Sequence, residues 1–292
     1  MWQHSLFDDT DRIINVASVP QRSPFRYPGG KTWLIPRIRQ WLGSLPYYPM
    51  ELVEPFAGGG IVSLTVATEG LAQHVQMVEL DPFVAAVWET ILEDTHGGEW
   101  LANQITAFDL TLEAVKSELA KTNLPIRELA FQAILKNRVN RGGIMAPGAG
   151  LVKTGEAGKG LRSRWYPETL HRRIMDIVKV RDKISFMHGD GLVTMRQYAT
   201  CEHTVFFIDP PYTASTKRAG SRLYAYPDID HQQLFKIANG LVGDFLMTYD
   251  DAEEVRELAR NYNFDMQTVA MKNTHHSTMQ ELLIGRNLDW IR

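Results

Sequence analysis

Leu52-Val53-Glu54-Pro55-Phe56-Ala57-Gly58-Gly59-Gly60-Ile61-Val62-Ser63-Leu64-Thr65-Val66 reads as a buried strand, a glycine loop and a helix in succession. Glycines in that position let a ligand approach the backbone and meet N–H groups at the helix start. The dinucleotide fingerprint is missed, because Ser63 stands where its last glycine is required. Moving outward, a second strand from Val75 to Leu80 ends in acidic residues. Phe83, Val84, Val87, Trp88, Ile91 and Leu92 then form a helical stripe. This is the opening βαβα of a doubly wound α/β sheet. Upstream, Trp33, Leu34, Ile38, Trp41 and Leu42 have helical spacing, and residues 1 to about 22 show no period.

Further strands are expected at Ile184–Met187, Val205–Ile208, Phe245–Thr248, Phe264–Val269 and Glu281–Ile284. Asp251 with Glu254 has the spacing of a helix-start capping box, followed by apolar Val255, Leu258, Ala259 and Tyr262. Residues 95–182 interrupt the alternation. They hold helical patterns at Ile126–Leu135 and Leu170–Val180, around a glycine-rich stretch from Arg141 to Gly160. Within it Gly155–Gly160 has the look of a phosphate loop. That match fails, since Lys153 holds the first glycine's place and Gly160 follows the lysine.

The net charge is −3, yet Lys136 to Lys183 carries 12 Lys/Arg against 4 Asp/Glu, leaving a net −11 for the rest. A basic island on an acidic body can neutralise phosphates and steer association with nucleic acid, although a solvated surface face has the same signature. The hydrophobic fraction of 44% and charged fraction of 22% are those of a soluble globular chain. No apolar run approaches the roughly 18–20 residues that cross a bilayer. The first residues, MWQHSLFDDTDRI, do not read as a signal peptide. The single Cys201 excludes an internal disulfide and a multi-cysteine zinc site; it is read as a packed thiol in a reducing cytoplasm.

Two clusters carry chemistry. Glu79, 21 residues after Gly58 and at a strand end, is placed to accept both hydroxyls of a ribose. Tyr27-Pro28-Gly29-Gly30-Lys31 combines a tight loop, an aromatic face suited to a cationic sulfur, and a lysine able to pair with a ligand carboxylate. The second cluster is Val205-Phe206-Phe207-Ile208-Asp209-Pro210-Pro211-Tyr212. A buried strand delivers an acid, two rigid N–H-free prolines and an aromatic to the carboxyl edge of the sheet, where ligands bind in open α/β folds. Adenine's amino nitrogen is a poor nucleophile, because its lone pair is delocalised. Hydrogen bonds to the Asp209 carboxylate and Pro210 carbonyl would favour a pyramidal nitrogen and stabilise the charge it develops. Tyr212 would stack on a base flipped out of the duplex.

With these residues the chain resembles the Dam-type (class α) DNA adenine-N(6) methyltransferases, over roughly residues 24–290. The resemblance implies a Rossmann-like methyltransferase sheet, mostly parallel with a reversed strand near the C-terminus, and an inserted, mainly helical target-recognition subdomain. Residues 23–94 and 183–292 would form the catalytic domain that binds S-adenosyl-L-methionine, and 95–182 the DNA-binding insertion. Tyr27, Lys31, Phe56, Ala57, Gly58, Gly60, Glu79, Asp190 and Asp209 would then contact the cofactor, with Asp190 reading its adenine and Asp209 touching its methionine end. Glu79 stands where the family usually has aspartate. Asp209, Pro210, Pro211 and Tyr212 would be catalytic. Arg138, Asn140, Arg141, Arg162, Arg164, Lys217 and Arg218, with Trp165, are the candidates for contacts to double-stranded DNA.

No metal and no membrane is expected. The resemblance also implies a monomer or weak dimer in the cytoplasm of a bacterium or a phage-infected cell. A cognate restriction partner, phage protection and regulation are the roles open to it. The rival readings are methylation of another amino group, in cytosine of DNA or adenine of RNA, and a DNA-binding module without catalysis. His231, His275 and His276 are read as surface or hydrogen-bonded histidines rather than metal ligands.

Overall fold

The structure is a computed structural model, and it describes residues 19–26, 30–145, 148–155, 158–211, 229–272 and 278–292. Among these, seven strands form one sheet: β1 (Glu51–Glu54), β2 (His74–Glu79), β3 (Ile184–His188), β4 (Thr204–Ile208), β5 (Asp244–Asp250), β6 (Asp265–Lys272) and β7 (Thr278–Gly285). Their order is β3-β2-β1-β4-β5-β7-β6, and β7 alone runs antiparallel to its two neighbours. The expected sheet, with its reversed strand near the C-terminus, is thus present.

Side-chain alternation along the buried strands splits the core into two layers. Leu52, Val75, Met77, Val205, Phe207, Leu246 and Leu283 belong to one apolar cluster. Their neighbours Val53, Phe206, Ile208, Phe245, Met247 and Leu282 belong to the other. On the first face pack α1 (Ile35–Ser44), α2 (Ile61–Glu69) and α3 (Pro82–Trp88), joined by α4 (Gly97–Ala107), α5 (Leu112–Leu119), α6 (Ile126–Val139) and α7 (Pro167–Val178). The second face is covered by α8 (Gly191–Gln197), α9 (His231–Asn239) and α10 (Glu253–Asn261). The helices between β2 and β3 share the first face's cluster: α4 lies along α7, and α6 along α3.

Two expectations are corrected. The capping box does not form, because Arg256 claims both Asp251 oxygens at 2.6 and 2.9 Å and Ala252 becomes the residue before α10. A charged bidentate pair outcompetes a single bond to a helix N–H. Cys201 is exposed rather than packed, because it lies in the turn before β4, ahead of the apolar run.

β1 and β4 are neighbours at the centre, with β2 and β3 on one side and β5 on the other. This is a topological switch point, and the segments leaving the carboxyl ends of β1 and β4 open onto the same crevice. The spacing of β4 and its other neighbour, β5, tolerates little change. A Cβ built on Gly243, just before β5, would lie 1.8 Å from the main-chain oxygen of Thr204, and a backbone atom cannot swing aside. Gly243→Ala should therefore destabilise the fold by about 3 kcal/mol. A lower urea midpoint at unchanged slope would register the loss, and an unmoved midpoint would refute it.

Candidate active site

The chain leaves β1 through Glu54 and enters α2 through the glycine loop. Glu54 is buried, and Ser63 donates to its Oε2 from the main-chain N–H at 3.0 Å and from its hydroxyl. This explains the residue that broke the dinucleotide fingerprint: Ser63 is the polar partner of a buried acid. Burial pushes the Glu54 carboxyl up to about 8, with Asp209 and Glu79 adding to the rise and the Ser63 bonds opposing it.

At the end of β2, Glu79 braces the same loop. Its Oε2 accepts the Gly58 N–H at 2.8 Å, and its Oε1 accepts those of Leu80 at 2.9 Å and Asp81 at 2.8 Å. Burial pushes this carboxyl up to about 7, against those three bonds. The Gly58 carbonyl takes the Trp88 indole N–H at 2.9 Å. Gly60 has a φ of +63°, and a Cβ there would lie 2.7 Å from Met77 Cε and 3.0 Å from Trp88, so close internal packing also demands the glycine. Ala57 is buried and Phe56 half-buried against the second face. Asp190 follows β3 at the same edge; it is exposed and accepts the Leu192 N–H at 2.7 Å as the cap of α8.

Asp209 emerges from β4 and is held by two partners. Its Oδ1 accepts the Thr248 hydroxyl of β5 at 2.7 Å and lies 3.2 Å from Lys31 Nζ. Lys31, in a tight turn at Lys31–Leu34, also lies 3.3 Å from Oε2 and 3.4 Å from Oε1 of Glu281 on β7. Burial alone would lower the lysine's pKa; the two carboxylates reverse that and hold it above its ordinary value. The expectation that Lys31 faces a ligand carboxylate is corrected, because two protein carboxylates enclose its ammonium. Pro210 is buried and Pro211 half-buried behind Asp209. Thr248 and Glu281 had been read only as strand residues. The available signal was a polar side chain beside an otherwise apolar run.

His231 Nδ1 lies 2.9 Å from the Tyr249 hydroxyl, so this histidine is hydrogen-bonded. Among the described residues no group of His, Cys, Asp and Glu could hold a metal, and no helix is long and apolar enough to cross a membrane. Tyr27, Tyr212, Lys217, Arg218, His275 and His276 lie outside the described residues.

The basic island divides. Arg141 and Arg162 are exposed, Arg162 standing 3.6 Å from Asp109, and Arg164 is half-buried. Arg138 and Asn140 turn inward, which corrects their expected contact with DNA. The Arg138 guanidinium donates to the Pro24 carbonyl, and Asn140 Nδ2 donates to Ile144 O at 2.9 Å. Trp165 is likewise buried, edge-on to Phe108. Burial, then the guanidiniums of Arg173, Arg26 and Arg164, press Arg138 down to about 9, still charged at neutral pH.

The buried acids set a pH dependence. Unfolded, Glu54 and Glu79 ionise near the ordinary 4.5, while folded they hold their protons until about 8 and 7. The unfolded chain therefore binds fewer protons in that window, and stability falls as pH rises from about 4.5 to 8. The limiting slope is about 1.4 kcal/mol per pH unit for each group. Glu54→Gln keeps an acceptor for Ser63 and should flatten the decline between pH 5 and pH 8 in urea titrations. An unchanged decline would remove Glu54 as its source.

The model of the D12 class N6 adenine-specific DNA methyltransferase family matches residues 27–124. That span includes the glycine loop and Glu79 and ends before Asp209. It bears out the Dam-type resemblance and, with it, an enzyme of the methyltransferase class. No curated protein matches the chain. Among solved structures, it is similar to the candidate RNA methyltransferase PH1948 of Pyrococcus horikoshii, at 11% identity and a TM-score of 0.43, over 92% of this chain and 93% of that one. It is also similar to the rRNA methyltransferase aviRa of Streptomyces viridochromogenes, at 14% identity and a TM-score of 0.36, over 97% and 94%.

Proposed function

We propose that this chain methylates the exocyclic N(6) of an adenine flipped out of double-stranded DNA; the match of residues 27–124 to the D12 class N6 adenine-specific DNA methyltransferase model supports the reading. The observation that carries this reading is the posture of Asp209. Lys31 and Thr248 occupy its Oδ1, so Oδ2 is the oxygen that a further donor would meet. An exocyclic amino group has two N–H donors, and the carbonyl of Pro210 is the natural acceptor for the second. Two acceptors fixed before the base arrives draw the nitrogen toward a pyramidal shape and stabilise its growing positive charge. Neither proline offers an N–H, so this rim is made only of acceptors.

S-adenosyl-L-methionine, when bound, supplies a methyl group on a cationic sulfur. The donor set at the edge fits such a ligand: Glu54, Glu79, Asp190 and Asp209 stand at or just beyond the carboxyl ends of β1, β2, β3 and β4, and Lys31 is already paired. Burial keeps Glu54 and Glu79 short of full ionisation at neutral pH. A nearby cation favours their ionised forms, so these acids are poised to answer a positive ligand. Glu79 would accept ribose hydroxyls beside its main-chain bonds, and Asp190 would read the nucleoside's base. Tyr27, Phe56, Ala57, Gly58 and Gly60 complete the proposed cofactor set, and Tyr212 the base-stacking one.

In this reading 23–94 and 183–292 form the catalytic unit and 95–182 recognises the target. Arg141, Arg162, Arg164, Lys217 and Arg218 are the proposed DNA contacts. The gathering of Arg26, Arg164 and Arg173 around Arg138 favours a nearby anion such as a phosphate.

Asp209→Ala should cut methyl transfer by about a thousandfold or more, with duplex binding little changed. A rate within tenfold of the unaltered chain would sink the mechanism. Mapping modified bases in DNA from an expressing host should find N(6)-methyladenine; N(4)-methylcytosine would instead support the rival target.

A further inference from the structure

A second concavity lies on the first face of the sheet. Residues 20–22, α2 and α7 enclose a cavity of about 310 Å³, with buried Leu64 and Ile177 in its wall. Arg22, Arg172 and Arg173 also line it, and Asp176 is the one carboxylate among the described residues that do. That carboxylate is already engaged, at 2.7 Å, by Lys179. The three guanidiniums are poorly answered by the protein. Arg22 lies 3.0 Å from Glu69 Oε1, but Arg39 holds both oxygens of the same carboxylate at 2.7 and 2.8 Å. The Arg22 Nε is buried and meets no acceptor. Arg173 donates to a neutral partner, the Ser23 carbonyl, at 2.9 Å. Arg172 is exposed and has no hydrogen-bond or ion-pair partner among the described residues. Burial, then the neighbouring charge of Arg172, hold the Arg173 guanidinium below its ordinary pKa.

We propose that this cavity is a sugar-phosphate site, in which Arg22, Arg172 and Arg173 bind the phosphate and the apolar wall meets the body that carries it. Planar guanidiniums present forked donors that match phosphate oxygens, two bonds at a time. A phosphate would give the orphaned Arg22 Nε an acceptor and relieve the repulsion between Arg172 and Arg173. Leu64 and Ile177 favour an organic phosphate over a bare ion, and the volume lies at the small end of small-molecule sites. The place is distinct from the crevice. Helix α2 starts directly after Gly60, and Thr68 in the cavity wall lies eight residues further on, about 12 Å along the helix axis. The sugar phosphate comes either as a free mononucleotide or within the strand of a bound duplex. This site does not depend on what the crevice binds.

Titration calorimetry of the full chain at constant ionic strength, with inorganic phosphate and with deoxyadenosine 5′-monophosphate, tests the site. Arg172→Ala removes an exposed, unpartnered side chain, so its urea midpoint should stay where it is. A duplex titrated at several salt concentrations separates the two sources. If the site serves a free nucleotide, both phosphates bind, and the variant weakens them by about tenfold or more with duplex affinity unchanged. If it serves DNA, the variant lowers duplex affinity on any sequence and makes the salt dependence shallower by about one phosphate. Unchanged affinity for phosphate, nucleotide and duplex alike would overturn the proposal. Phenylglyoxal labelling of the unaltered chain, read by mass spectrometry, gives a check that needs no variant. Phosphate should slow labelling at Arg22, Arg172 and Arg173 but not at Arg196, which is exposed on α8. Equal slowing at all of them marks an adventitious ion only, and that result rejects the site.

Discussion

One buried ammonium organises the site. Lys31 comes from the turn before the first helix, Asp209 from the end of the central strand β4, and Glu281 from the reversed strand β7. A lysine with 3% of its side chain exposed carries a large desolvation penalty, and only two carboxylates at short range make its charged form the favoured one. The arrangement serves Asp209 as much as Lys31. With one oxygen held by the lysine and by Thr248, the aspartate has little rotational freedom left, and its second oxygen has a defined direction. Pre-set acceptors of this kind stabilise charge without reorganising during the reaction.

The acids on the other side of the crevice are tuned differently. Among the described residues Glu54 and Glu79 have hydrogen-bond donors but no cationic partner, so burial dominates and their carboxyls rise toward neutrality. A crevice that combines one charge-paired acid with two nearly neutral ones suits a ligand that brings its own positive charge. Protonation lowers the cost of burying these two acids.

Much of the fold was legible because buried strands advertise themselves. Seven short apolar runs mark the seven strands, and the glycine loop between β1 and α2 marks the crevice. The reversed direction of β7 came from family resemblance, since no local pattern in a strand encodes which way it runs. Charge pattern misled at Arg138 and Asn140, whose polar groups are spent on main-chain carbonyls that composition cannot reveal. Thr248 and Glu281 were hidden for the opposite reason: each is a single polar residue whose role depends on a partner far away in sequence.

That distance has a consequence for how the enzyme is made. Lys31 and Glu281 are 250 residues apart, and β7 sits between β5 and β6, so the strand that completes the ion pair is inserted late. A chain emerging from the ribosome has its glycine loop and Asp209 long before Glu281 is synthesised. Contacts of such long sequence separation form slowly, because loop closure precedes their reward. Until the last strand docks, the lysine is short of one of its carboxylates. The nascent protein thus completes the pairing of Lys31 only once β7 has entered the sheet between β5 and β6.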